Sequence, residues 1–410
     1  MEKYDIIKIH GKNYKEMTRQ VLESADLAAL IGDRDKKITL KPNVLGTFTP
    51  EIGAVTHPEI VRAVIEYLQE NGFKNITIME GSWVGDNTSR AYKRLGYYGI
   101  ADEYGVTLLD TTKDKTVTLD GKGMKITVCR KALETDFMIN LPVLKGHCQT
   151  NVTCALKNMK GVIPNSEKRR FHTLGLHKPI AHLNTIVHQD FILVDNICGD
   201  LTFEEGGRPT VMDNILAFRD PVLCDAYACG VVGYHVGEVP YIGLAERLGV
   251  GSADLSKAKM TDLNKLGVKG RAAGRSSAAE GRHAVMLEND AAKQGSDLKP
   301  YTDSKSVKSA VPEDNQVATG GRAGELAAYT APDDACSACY SNLLSALDAL
   351  DKEGLLKRGL TPIAIGQGYK KTKGDIGVGK CTSCFERTVG GCPPKPEAIR
   401  DFLEENWIHY

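Results

Sequence analysis

No run of about 18 consecutive apolar residues occurs in this sequence, so none of its segments is expected to cross a membrane as a helix. Excess charge is missing too. The 52 basic and 52 acidic residues cancel, leaving no overall field to draw the chain to nucleic acid or to a membrane surface. The opening MEKYDIIKIHGKNYKE lacks an apolar core of signal-peptide length, and a cytoplasmic location is expected. There is no G-x-G-x-x-G after the first strand and no G-x-x-x-x-G-K-[ST], which counts against simple dinucleotide or ATP binding. No G-x-S-x-G elbow occurs, and Cys148 follows His147 directly, so the usual hydrolase arrangements have little to stand on.

What is present is a soluble, globular composition: 42% apolar and 25% charged residues over 410 positions, enough for two or three domains. The expected fold class is α/β, a mostly parallel sheet flanked by helices, with a small C-terminal Cys-rich α/β unit. Boundaries are expected at 1–258 for the main domain, 259–330 for a polar Gly/Ala/Ser-rich connector and 331–410 for the Cys-rich unit. Residues 37–80 carry a βαβ pattern: KITLKPNVL, a helix with Ile60, Val61, Val64, Ile65 and Leu68 on its apolar face, then NITIMEG. Thr56-His57-Pro58-Glu59 reads as a capping box at the start of that helix. Lys41 and Asn43 end the first strand and Glu80 the second, at carboxyl edges where open α/β sheets bind ligands. KTVTL and KITVC read as a hairpin, and Asp220 as the cap of the helix after it in the sheet domain.

The densest chemistry lies in DFMINLPVLKGHCQTNVTCALKNMKGVIP. Phe137 to Leu144 reads as a buried strand ending at Lys145-Gly146-His147, and Val152, Ala155, Leu156 and Met159 set a helical spacing behind it. Lys145, His147 and Glu80 are the candidate catalytic residues. Lys41, Asn43, Lys157, Asn158, Lys160 and His172 are candidates for binding a small anionic substrate. The competing reading makes the lysines solvated helix charges and His147 a loop residue. His172, His177, His182 and His188 lie five, five and six residues apart, which is not the three-or-four spacing of a zinc helix.

Eleven cysteines are present, and five of them crowd the C-terminal stretch. Cys336-x-x-Cys339 and Cys381-x-x-Cys384, with Cys392 before two prolines, have the spacing of a metal centre. Five thiols, the glycines Gly379, Gly390 and Gly391, and proline after Cys392 favour a 4Fe–4S cluster, with structural zinc as the alternative. The expected ligands are Cys336, Cys339, Cys381 and Cys392, with Cys384 spare. A helix N-terminus at Cys336 is expected to lower that thiol's pKa.

The ordered blocks KPNVLG, HPEIVRAVIEYL, IMEGS, DFMINLPVLKGH, ALKNMKGVIP and RDPVLCDA resemble the family known as domain of unknown function 362, over roughly residues 36–235. The resemblance implies an α/β fold and a role near redox or metallocofactor chemistry, since many members carry iron–sulfur motifs. It implies no particular reaction. Three functions stand open: an iron–sulfur oxidoreductase or lyase acting on a small anion, an electron-transfer or metallocofactor-maturation protein with a redox partner, and a structural zinc protein.

Overall fold

The computed structural model describes residues 1–204, 209–269, 321–357 and 359–408; most of the predicted connector, 270–320, falls outside the described residues. The N-terminal unit contains strands Asp5–His10 (β1), Ile38–Pro42 (β2), Ile76–Glu80 (β3), Thr107–Asp110 (β4), Thr116–Asp120 (β5), Lys125–Cys129 (β6), Phe137–Leu141 (β7), Lys145–His147 (β8), Asn151–Thr153 (β9), Phe191–Asp200 (β10), Pro209–Phe218 (β11) and Lys259–Asp262 (β12). Eight of them form one sheet in the order β12-β1-β11-β10-β7-β2-β3-β4. From β10 to β4 every pairing is parallel, and only β11 runs against its neighbours. Because β12 pairs with β1, the sheet extends past the boundary expected at 258.

Side-chain alternation along the strands feeds two separate cores, one on each face of the sheet. Met138, Ile192, Val194, Leu216 and Phe218 point to one, packed with helices Pro221–Val232 and Pro240–Arg247. Phe137, Ile139, Leu193, Ile215 and Ala217 point to the other, packed with Tyr14–Ser24 and Pro58–Glu70. Burial on both faces accounts for the apolar runs Phe137–Ile139 and Phe191–Val194 in the central strands.

The predicted capping box is not formed. His57 is the N-cap of Pro58–Glu70, with no side-chain bond of its own to the helix. The Thr56 hydroxyl instead donates to Leu141 O at 2.7 Å and accepts from Asn43 N at 2.8 Å, tying the loop after β2 to β7. His57 N and Nδ1 each lie 2.8 Å from Asp195 Oδ2. Asp220 does cap its helix, accepting from Val222 N at 2.9 Å and Leu223 N at 3.1 Å. The hairpin of β5 and β6 forms as expected.

The helix predicted from Val152 is cut short. β8 and β9 form a small hairpin, with Asn151 at φ +63°, and only Ala155–Asn158 is α-helical before a 3-10 turn at Met159–Val162. Val152 therefore belongs to a strand, and Lys157 and Lys160 sit on a tight, buried turn.

The C-terminal unit has strands Thr330–Pro332 (β13), Ile363–Ile365 (β14), Ile376–Val378 (β15) and Arg387–Val389 (β16), all parallel, with helices Ser337–Lys352 and Pro396–Leu403. Its core includes Cys148 and Phe203 of the first unit. Polar ties cross the same seam: the Ser337 hydroxyl donates to Gln149 Oε1 at 2.6 Å and the Ser341 hydroxyl to Phe203 O at 3.2 Å.

Candidate functional site

The parallel register sets Lys41 beside Asn140 at the carboxyl edge, with β3 ending in Glu80 next to them. Lys41 and Glu80 form a fully buried ion pair. Burial pushes the Lys41 ammonium down and the Glu80 carboxyl up, so both are drawn towards their neutral forms. The 3-10 turn lies directly on this pair. A Cβ at Gly161 would collide with Glu80 Oε1 and come within 2.6 Å of Lys41 Nζ, so only glycine fits.

Beside the pair opens a cleft with about 930 Å³ of empty space, its mouth included. One wall is the sheet edge and its turn: Asn43, Glu80, Lys157, Asn158, Lys160 and His172. The opposite wall is the C-terminal unit, with Cys336, Cys339 and Cys392. Leu45, Trp83, Val84, Ala338 and Pro393 give the cleft an apolar lip.

The lysines of the edge differ in their surroundings. Lys157 donates to Glu204 Oε1 at 2.6 Å, while Glu204 Oε2 lies 3.0 Å from His147 Nε2. His147 Nδ1 accepts from Gln149 N at 2.9 Å and Thr150 N at 3.0 Å, so the ring proton belongs on Nε2, facing the carboxylate. Burial pushes His147 down to about 3, keeping it neutral at ordinary pH. His147 and Lys157, despite burial, hold the Glu204 carboxyl well below its usual range. Lys168 donates to Gly81 O at 2.8 Å and Ser82 O at 2.7 Å, fixing the loop that carries Trp83. Burial brings its ammonium down to about 8. Burial, then the charge of Lys157, brings Lys160 down to about 7.

Of the residues predicted for the site, Lys41, Lys145 and His147 stand behind the cleft wall. Lys145 is buried and donates to Ala54 O at 2.7 Å. The sequence reading passed over Lys168, Glu204, Trp83, Thr153 and Arg169, all of which line the cleft. Among the described residues, three polar atoms of the lining are buried without a hydrogen-bond partner: Asn43 Oδ1, Thr153 Oγ1 and Trp83 Nε1. Buried polar atoms in folded proteins almost always have partners, so such a group points to a ligand or ordered water.

The tail thiols divide unequally. Cys336 is the N-cap of Ser337–Lys352, and Cys339 lies in that helix's first turn. Cys381 sits in the 3-10 turn Lys380–Thr382, and Cys392 follows β16. The backbone holds the last two loops together, with Lys380 N donating to Gly391 O at 2.8 Å. Gly379, at φ +95°, brings its backbone against Cys339 Sγ; a Cβ there would lie 3.9 Å from the sulfur. Burial and the charges of Cys381 and Cys392 push the Cys336 thiol up, opposite to the lowering expected from the helix N-terminus alone. Gln367 Nε2 donates to Cys336 Sγ at 3.7 Å. Cys384 is exposed. No three tail sulfurs lie within 4.8 Å of one another; among the described residues the one such group of metal-type donors is Cys154, Cys224 and Asp225, in the core. Asp225 Oδ1 accepts from Leu156 N at 3.3 Å, capping the short helix that carries Lys157.

The thylakoid-associated protein sll1697 of Synechocystis sp. is 24% identical to this chain over 230 residues, 53% of this chain and 69% of that protein. Two solved structures are similar: the lactate racemase apoprotein of Thermoanaerobacterium thermosaccharolyticum, at a TM-score of 0.37 and 13% identity, and a Thermotoga maritima protein, at 0.35 and 15%. The likeness covers 55% of this chain and 56% of the first structure, and 54% and 60% for the second. The chain thus spans little more than half of either structure. The model of the family described as Domain of unknown function (DUF362) matches residues 38–230, the stretch that carries the sheet edge and its lysines, and the cysteine-bearing unit lies beyond that match.

Proposed function

We propose that this chain is an iron–sulfur protein that binds a small anion between the lysine-rich sheet edge and the tail cysteines, and acts on it as a redox or lyase-type enzyme. The observation that carries this reading is the shared cleft: Lys157, Lys160 and Lys168 line the same space as Cys336, Cys339 and Cys392. The donor set suits a 4Fe–4S cluster held by Cys336, Cys339, Cys381 and Cys392. A single four-thiolate zinc, with bonds of about 2.3 Å, needs its sulfurs roughly 3.8 Å apart. No three of the tail sulfurs lie within 4.8 Å of one another, which supports a cluster over the zinc alternative. Gln367 supplies the kind of N–H···S contact that tunes cluster cysteines. A cluster bound by all four thiolates would supply electrons at the cleft wall; a Lewis-acidic iron would require one of those thiolates to give up its place.

The chain's own residues do the rest. Lys157 and Lys160 attract the anion, Lys168 holds the Trp83 loop over it, and Glu80, drawn towards its protonated form, is the acid nearest the ligand. Lys41 and the Glu204–His147 pair act from behind as positioning groups. A second reading, an electron-transfer or cofactor-maturation protein with a redox partner, is favoured by the exposure of Cys392, which lines the cleft, and of Cys384. The test is oxygen-free purification with iron and acid-labile sulfide analysis, followed by titration with small carboxylates and phosphates. Iron with sulfide, and a spectrum that changes as anion binds, is expected of the enzyme. Colourless protein holding one zinc sinks the cluster. A spectrum indifferent to every anion favours the electron carrier.

A further inference from the structure

Lys160 is set apart from the other lysines around the cleft. Lys157 is committed to Glu204, Lys168 to two backbone carbonyls and Lys41 to Glu80. Among the described residues no hydrogen bond or ion pair engages the Lys160 ammonium, though the residue lines the cleft and is only partly exposed. The groups whose charge it feels include Lys157, Lys168, Glu204 and Cys148, and it acts in turn on His147 and His172. A lysine amine next to a second ammonium, in a site shielded from water, is the arrangement that makes a nucleophile.

The surrounding lining adds chemistry of its own. Trp83 Nε1 and Thr153 Oγ1, both without partners, offer N–H and O–H to acceptor oxygens. Leu45, Trp83, Val84 and Pro393 offer apolar surface a short distance away. A ligand that suits all of this has a carboxylate, an adjacent electrophilic carbon and an apolar body.

We propose that Lys160 is a covalent catalytic residue that forms an imine with the carbonyl of a 2-oxo acid, whose carboxylate is met by the neighbouring cations and whose side chain rests on the Trp83 lip. This deepens, and rests on, the reading of the cleft as an anion site. The neutral amine attacks the carbonyl carbon, and the carbonyl oxygen takes up the proton shed by nitrogen. The resulting carbinolamine takes one proton from Glu80, the acid of the cleft lining, and loses its hydroxyl as water, leaving a protonated carbon–nitrogen double bond and the Glu80 carboxylate. One water is released, and no oxidant or reductant is consumed. The fall of the Lys160 pKa to about 7 leaves a large share of neutral amine for the first step at ordinary pH.

The full chain would be incubated with phenylpyruvate and cyanoborohydride, which donates hydride to the imine and makes the bond permanent, and then mapped by peptide mass spectrometry. One adduct is expected, on Lys160, adding the mass of one phenylpyruvic acid less one oxygen. It should be lost in Lys160→Arg, which keeps the positive charge; circular dichroism checks that the variant folds. An adduct absent from the parent protein, or undiminished in the variant, overturns the proposal. Calorimetry with phenyllactate, which has the carboxylate and ring but no ketone, separates the two levels. Heat of binding without any adduct from phenylpyruvate rejects the imine and leaves the anion site standing. No heat and no adduct rejects both.

Discussion

Lys157 donates its ammonium to Glu204 Oε1 across 2.6 Å with both side chains buried, and this contact fixes the floor of the cleft. Glu204 holds it from an unfavourable backbone position, φ +95°, a region that non-glycine residues adopt only when the surroundings compensate. Replacing the carboxylate strands an ammonium in the interior. Glu204→Gln should lower folding stability by about 3–5 kcal/mol, the usual cost of breaking a buried ion pair from one side. Urea denaturation measures it. Adding Lys157→Met to the variant should recover most of the loss, and if it does not, the pair is not the source.

Gly161 offers a sharper steric test. Its missing Cβ leaves room for the Lys41–Glu80 pair, so Gly161→Ala must push that pair apart or lift the turn. Overpacking of this kind costs about 1–3 kcal/mol. The shift in denaturation midpoint should come with weaker anion binding, because the same turn carries Lys160.

The thiols should sort by position. In oxygen-free preparations, Cys336→Ser, Cys339→Ser, Cys381→Ser and Cys392→Ser are each expected to lose most of the iron and acid-labile sulfide. Cys384→Ser, altering an exposed thiol outside the proposed ligand set, should keep both. Equal loss in all five variants would place Cys384 among the ligands.

Asp225 should leave a mark on stability against pH. Burial raises its carboxyl from 3.8 to about 7. Between those values the folded chain binds more protons than the unfolded chain. The stability it contributes is therefore complete below about 4 and lost as pH rises through about 7. Asp225→Asn, which mimics the protonated acid and can still accept from Leu156 N, should flatten this slope. Denaturation of both proteins from pH 4 to 8 should show the variant gaining on the parent as pH increases.

Much of the architecture was legible because period-two alternation, helix caps and carboxyl edges leave local signals: β2, β3 and β7, the cap at Asp220, and the edge positions of Lys41, Asn43 and Glu80. The paired C-x-x-C spacing raised the expectation of a metal centre in the tail, which remains a proposal for the iron and sulfide analysis to test. Other features carry no such signal. Lys168, inside SEKRRFH, has the composition of a solvated helix and is buried only because the loop after β3 folds over it. Glu204 gains its role from a contact across more than forty positions of chain. Val152, Ala155, Leu156 and Met159 have helical spacing, yet Asn151 turns the backbone and the tertiary setting makes a hairpin. Thr56 fits a capping pattern, but the orphan N–H of Asn43 and the carbonyl of Leu141 compete for its hydroxyl and win.

The seam between the two units runs through the cleft, with lysines on one bank and sulfurs on the other, and is pinned by Ser337, Gln149, Ser341 and Phe203. On the proposed reading, ligand entry and retention of a cluster would depend on this one seam. Widening the mouth for an incoming molecule would also open the sulfur bank to solvent, and a molecule touching both banks would hold them together.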